Sequence, residues 1–183
     1  MNFYGAKDLA AGFRVVRKNT IVIAEEIGEE HYGFRPTPES RSVAQLLTHI
    51  AVVPQLQEQI QAIEKRTTLD GFDFPTFFGR LMEEEQTARP KAKIIELLRV
   101  EGDRMAGWLD TVSDDFLGER VAMPAGMTPP SKSRFEMLLA LKEHEMHHRG
   151  QLMLIERLLG MVPHLTREMQ ARFAQMANAP AAK

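Results

Sequence analysis

Glu143-His144-Glu145-Met146-His147-His148-Arg149-Gly150-Gln151-Leu152 places three of the chain's six histidines within five residues. On a helix, residues four apart stand one turn above each other, so His144 and His148 aim at a common point. Extending that face at helical spacing gives Met137, Leu141, His144, His148, Gln151, Ile155 and Leu159, an apolar stripe interrupted by two imidazoles and one amide. The stripe turns the pair toward a core. A buried imidazole needs a partner at each nitrogen, and a divalent cation supplies one; carbonyls or carboxylates are the plainer alternative. His147 lies about 60° from His144 on a helical wheel and is the other possible partner for it. With His148 as the ligand, Gln151 falls in line as an amide able to hydrogen-bond a bound group, and His147 becomes a flank residue.

The helix carrying these residues has a capping box in Ser133 and Glu136, with Ser131 as the other candidate cap, and runs to Leu159 before Gly160 and Pro163 stop it. A short amphipathic helix over residues 165–176 and an alanine- and proline-rich tail follow. Upstream, Leu9, Phe13, Val16, Thr20, Ile23 and Ile27 recur at steps of four and three, which predicts a first helix over residues 6–30. Gly33 and Arg35-Pro36-Thr37-Pro38 break it, and Ser40 or Ser42 offers the next N-cap. In the second helix, over residues 41–65, His49 takes a place in the repeat Leu46, His49, Val53, Leu56, Ile60, Ile63 that would otherwise be apolar. Pro54 should kink that helix one turn later.

A third helix is expected over residues 90–112, with Pro90 in its first turn and Ile94, Leu98, Met105, Trp108 or Leu109, and Val112 facing inward. Gly102 permits a close helix crossing, and Glu101 either points inward as an acid supporting the site or, the preferred reading, rolls to the surface because carboxylates are seldom buried without a partner. Between residues 67 and 89 the periodicity lapses. Phe72, Phe74, Phe77 and Phe78 are too apolar for a solvated linker and should cover one end or seam of the domain, a subunit interface being the other choice. Glu83-Glu84-Glu85 reads as a solvated helix end. Residues 113–130 form a second connector, and no stretch alternates at period two for long enough to predict a sheet. The expectation is an all-α four-helix bundle with at least one crossover and a short C-terminal helix, forming a single domain over residues 1–183.

The totals exclude several functions. A formal charge of −2 provides no field for nucleic acid or an anionic membrane, so neither is an expected partner. With no cysteine, disulfides, thiolate ligands and a cysteine nucleophile are ruled out, and any metal must be held by nitrogen and oxygen. No apolar run suggests a signal or a membrane span, which makes the cytoplasm the default compartment.

His49 on the second helix with His144 and His148 on the fourth puts three imidazoles on facing core stripes, the way bundles assemble metal sites. Three neutral ligands leave open coordination positions and an uncompensated +2 charge, which lowers the pKa of a bound water toward ~7 and favours anionic or thiolate ligands. Imidazoles suit zinc, nickel, iron and copper alike. Zinc or nickel is expected, with iron or manganese as alternatives. The same letters also match the His-Glu-x-x-His pattern of zinc peptidases, with Glu145 as general base and Glu168 as a candidate third ligand. That reading lacks the β-strand such enzymes use to align a peptide.

The chain resembles the DinB/YfiT-like superfamily of four-helix-bundle metalloproteins. The likeness covers most of its length and rests on Ser42-Val43-Ala44-Gln45-Leu46-Leu47-Thr48-His49-Ile50, on Ser133-Arg134-Phe135-Glu136, and on His144 to Leu152 followed by Leu158-Leu159-Gly160. The resemblance implies a long crossover between helices 2 and 3, frequent homodimers, and a divalent metal on His49, His144 and His148. It also implies chemistry that ranges from thiol-dependent transfer and isomerisation to hydrolysis. The expected function is therefore a metal-dependent enzyme, transferase before hydrolase, that presents a low-molecular-weight thiol or water to a small electrophilic substrate. A peptidase using Glu145 and a non-catalytic, stress-related metal-binding bundle are the rivals.

Overall fold

The computed structural model describes residues 4–177, so the first three residues and the alanine- and proline-rich tail lie outside it. In chain order its elements are α1 (Ala6–Glu26), α2 (Val43–Val52), α3 (Pro54–Gln57) with a π-helical continuation over Glu58–Ile63, α4 (Phe74–Gln86), α5 (Lys91–Leu109), α6 (Asp114–Gly118), β1 (Arg120–Ala122), β2 (Ser131–Ser133), α7 (Arg134–Leu158) and α8 (His164–Ala177). Helix α1 packs on α5 and α7, and α2 packs on α5, α7 and α4. The result is a four-helix bundle whose crossover between its second and third long helices contains α4.

The caps follow the sequence. Ser42 and Ser133 accept the backbone N–H three residues on, while Gln45 and Glu136 bond back to the cap amides. Gly160, at φ +79°, supplies the left-handed residue that ends α7. Pro90 is the N-cap of α5 rather than a residue of its first turn.

Four expectations are corrected. The connector over residues 67–89 is largely helical, because Asp73 caps α4 through the Thr76 N–H and Phe77, Leu81 and Glu85 bury one face at steps of four. Phe77 joins the main core with Phe72 packed on it, Phe74 packs on a smaller cluster, and Phe78 is exposed, so part of the phenylalanine group closes that seam. The second helix is broken at Pro54 and continues with π-helical turns. Strands β1 and β2 pair antiparallel over three residues each, too short for a period-two signal. Glu101 is buried at 8% exposure, where Gln55 donates to it at 3.1 Å and Arg104 forms an ion pair with it.

Two apolar clusters fill the bundle. One gathers Ile23, Leu47, Ile50, Ile94, Leu98 and Leu152, and the other gathers Phe13, Met105, Leu109, Leu138 and Leu141. Between them along the helices lies a polar layer containing Arg17, Thr20, Glu101, Glu145 and His148, all buried. Arg17 is its hub. From α1 its Nε and Nη2 donate to both Glu145 oxygens on α7 at 3.0–3.1 Å, its Nη1 donates to Leu98 O on α5 at 2.7 Å, and its Nη2 donates to Ile50 O on α2 at 3.0 Å. The Ile50 carbonyl is free to accept because its helical donor would be the N–H of residue 54, and Pro54 has none. Gly102 provides the room, since a Cβ there would stand 2.7 Å from Arg17 Cγ. Among the described residues no helix is long and apolar enough to cross a membrane.

Removing one partner of a buried ion pair leaves the other charge uncompensated. Arg17→Ala should therefore cost about 3–5 kcal/mol, read as a fall in Tm of roughly 10 °C. Gly102→Ala should destabilise too, against the helix propensity that favours alanine by about 1 kcal/mol. Thermal and urea denaturation of both variants checks this, and an unchanged midpoint in either contradicts the hub.

Candidate metal centre

The break at Pro54 leaves α2 a helix of ten residues, and His49 stands in its last turn, facing α7. On α7, Glu145 rather than His144 marks the middle of the buried face, which runs through Met137, Leu138, Leu141, Glu145, His148, Leu152, Ile155 and Glu156. The helix is thus rolled from the orientation expected from the stripe: His148 is buried, His144 half-buried, and Gln151 and His147 exposed. This roll brings His144 and His148 to the seam with α2.

His49 Nε2 lies 3.2 Å from His144 Nε2, which lies 3.1 Å from His148 Nε2, and the three potential ligand atoms all fall within 4.8 Å of one another. The structure thus brings together all three predicted ligands. The outer nitrogens of His49 and His148 are engaged. His49 Nδ1 donates to Glu85 Oε1 at 2.8 Å, and His148 Nδ1 donates to Gln151 Oε1 at 2.8 Å. A proton on each Nδ1 leaves a lone pair on each Nε2, and both lone pairs point at His144 Nε2, which carries at most one proton. At least one close nitrogen pair therefore has no hydrogen between its members, an arrangement that a shared cation relieves. Tetrahedral coordination with metal–nitrogen bonds of ~2.0–2.1 Å spaces ligand atoms about 3.3–3.4 Å apart, close to the two separations that involve His144. Among the described residues no further His, Asp or Glu donor joins the three.

The electrostatics keep the imidazoles available as ligands. Burial, followed by the charge of neighbouring His148 and His49, pushes His144 down to about 4. Burial also lowers His148 and lowers His49, and the Arg41 guanidinium adds to the effect on both. Burial works to raise the Glu85 carboxyl, but hydrogen bonds and charge from Arg41 and His49 outweigh it and hold the group below its ordinary value. Glu85 is thus the anion that fixes the tautomer and direction of His49, and Arg41 Nε in turn donates to it at 2.7 Å.

The remaining predicted residues take other roles. Glu145 is 2% exposed and both its oxygens bond Arg17, so it cannot serve as the general base of a peptidase. Glu168 is exposed on α8 beside His164 and Arg172, in a different cavity, and is not a ligand. Gln151 accepts from His148 Nδ1 and also approaches His147 Nε2 at 3.3 Å. Glu85 and Arg41 were not anticipated. The signal for Glu85 was its place at the end of the Phe77, Leu81, Glu85 series, masked by two adjacent glutamates.

A cavity of about 730 Å³ borders the centre, bounded by Arg35 and Arg41, by Met82 and Glu85 of α4, and by Gln151 and Leu154 of α7. It touches the two groups that hold His49 and His148, and its mixed lining of charged, polar and apolar side chains suits a small polar organic molecule.

Comparison with known proteins agrees with this architecture. No curated protein matches the chain. Among solved structures, a DinB-like protein from Bacillus subtilis, YjoA, is 19% identical with a TM-score of 0.61 over 84% of this chain and 93% of its own. A DinB-like protein from Bacillus cereus is 13% identical with a TM-score of 0.64 over 85% and 93%. YfiT from Bacillus subtilis, described as a probable metal-dependent hydrolase with an unusual four-helix bundle topology, is 16% identical with a TM-score of 0.65 over 85% and 88%. At these identities the likeness concerns the fold. The model of the DinB superfamily matches residues 13–152, from the middle of α1 through the histidine cluster, and the chain belongs to that superfamily.

Proposed function

We propose that this protein is a divalent-metal-dependent enzyme in which His49, His144 and His148 hold the ion and a small electrophilic substrate binds in the adjoining cavity. The observation that carries this reading is the convergence of three Nε2 atoms, of which at least one close pair has no proton between its members, at a place joined by no further His, Asp or Glu donor among the described residues. The ion would supply Lewis acidity, lower the pKa of a coordinated water toward ~7, and hold a coordinated thiol as its thiolate. With water as nucleophile the reaction is a hydrolysis, a reading supported by the description of YfiT. The second reading is thiol transfer, favoured by the absence of any anionic ligand in the trio. Since the chain has no cysteine, that thiol would be a separate cosubstrate.

The chain's own residues supply orientation. Glu85 and Gln151 lock the rings of His49 and His148 so that their lone pairs stay convergent. Leu46, Met82, Leu154 and Ile155 offer apolar contact to a bound substrate, beside the charged Arg35 and Arg41.

Elemental analysis of purified protein should find one divalent ion per chain, lost in His49→Ala; a variant that keeps its metal would overturn the tri-histidine site. Glu85→Gln should weaken metal affinity by about 10–100-fold while the fold persists, measured by competition with a chelator. All three imidazoles are held below their ordinary value, His144 at about 4, so protons compete with the metal only below the usual histidine range. Occupancy should persist at about pH 6 and disappear only toward pH 4, measured by equilibrium dialysis; release near pH 6.5 would contradict the electrostatics described. Metal-loaded protein should hydrolyse members of an ester and amide panel or conjugate a thiol to a simple electrophile, with both activities absent in His49→Ala. Failure across both panels would leave a non-catalytic metal-binding bundle.

A further inference from the structure

Away from the histidine trio, α1, α7 and α8 enclose a second group of titratable side chains that the proposed chemistry does not use. Glu156 on α7 is 0% exposed, and neither carboxylate oxygen has a hydrogen-bond partner within the described protein. Glu26 Oε2 on α1 and His164 Nδ1 on α8 are likewise buried and unpartnered. The other oxygen of Glu26 pairs with Arg167, and His164 Nε2 lies 3.4 Å from Asn19 Oδ1. These contacts belong to the first turn of α8. Beyond that turn the helix is loosely held: from Arg167 to Ala177 every side chain is exposed, and His164 is the buried residue of the element. The C-terminal helix is thus fastened at one end, where the fastening overlies a carboxyl group without a donor.

A buried carboxylate with no hydrogen bond and a second carboxylate nearby is a high-energy arrangement, and the docked structure favours Glu156 in its neutral form. Burial, then the charge of Glu26, pushes Glu156 up to about 7, against the opposing pull of Arg167 and Arg157. Burial lowers His164, with Arg167 and Arg149 on the same side and Glu26 and Glu168 opposing, so the imidazole also favours its neutral form. We propose that Glu156 is a proton-operated latch for α8: its neutral carboxyl underlies the docked first turn, and its ionisation releases the helix from α1 and α7. The sign follows from the raised value. The stabilisation of the docked form is complete below the ordinary carboxyl value of 4.5 and is lost as pH rises through about 7. Protonation of His164 sets an independent limit on the acid side.

Hydrogen–deuterium exchange on the full chain tests this, at about pH 6 and about pH 8.5, with rates corrected for intrinsic chemical exchange. In the wild type, protection of α8 should fall at least about tenfold between the two, the effect of one pKa unit, while α5 stays constant. In Glu156→Gln, neutral at both values, α8 should remain protected throughout. Equal protection in the wild type, or a pH dependence that survives in Glu156→Gln, would overturn the latch. Should that variant not fold, a carboxyl ¹³C titration of the wild type decides: Glu156 should titrate near neutrality, and a midpoint in the ordinary carboxylate range refutes the proposal. Glu26→Gln should move both that midpoint and the loss of α8 protection to lower pH, and no movement would refute it as well.

Discussion

The guanidinium of Arg17 binds all four long segments of the bundle. It leaves α1, grips the Glu145 carboxylate of α7 with two nitrogens, and donates to main-chain carbonyls of α5 and α2. In a bundle held by apolar packing alone, each helix can rotate about its axis by a fraction of a turn at modest cost, because one leucine in a groove resembles another. A buried ion pair removes that freedom: any rotation that takes Glu145 away from Arg17 strands a charge in the interior. With Glu145 fixed inward, His144 and His148 can only lie along the edge that meets α2. The tri-histidine geometry is thus a consequence of a pair that touches none of the three rings.

The same interaction gives Pro54 and Gly102 a common purpose. Proline deprives the Ile50 carbonyl of its helical partner and so creates an acceptor inside the bundle; Arg17 supplies the replacement donor. The carbonyl belongs to the residue after His49, so the hub also steadies the turn that carries that ligand. Glycine on α5 removes the Cβ that would collide with the aliphatic part of the arginine. A helix breaker and a packing-poor residue, each unfavourable alone, become compatible once one long side chain needs both an acceptor and a passage.

These relations explain what could be read from the chain and what could not. Periodicity finds which residues face inward on a helix considered alone, and it identified the three imidazoles because histidines at apolar positions stand out against leucine and isoleucine. It missed Arg17 and Glu145, which lie beside an apolar stripe where a charge normally faces water. Their burial depends on each other across 128 positions of chain, a relation that no local window contains. Glu85 was hidden for a related reason. An acidic run usually marks a solvated helix end, and the third of these glutamates turns inward only because His49 and Arg41, from another element, receive it. The crossover looked like a cover for the bundle; its helix in fact supplies the group that orients a ligand. Caps were legible because the cap and its partner are three residues apart, and strands β1 and β2 were not, because three residues carry no period.

The charges around the trio also bear on its chemistry. A carboxylate placed directly among the imidazoles would stabilise their protonated forms and oppose the cation they are arranged to hold. Glu85 avoids this by meeting His49 at Nδ1, the far side of the ring, while its own charge is largely answered by Arg41. Arg41 in turn disfavours protonation of all three rings, as the direction of their shifts shows. Orientation is therefore supplied by an anion whose field is cancelled nearby, and the lone pairs remain available in mild acid. A cation accepted there meets only neutral donors and keeps its full charge for whatever enters the open positions. A centre built for structural binding gains by neutralising that charge with a fourth, anionic ligand. Leaving it unopposed beside a cavity serves a site that draws in and activates an exchangeable ligand.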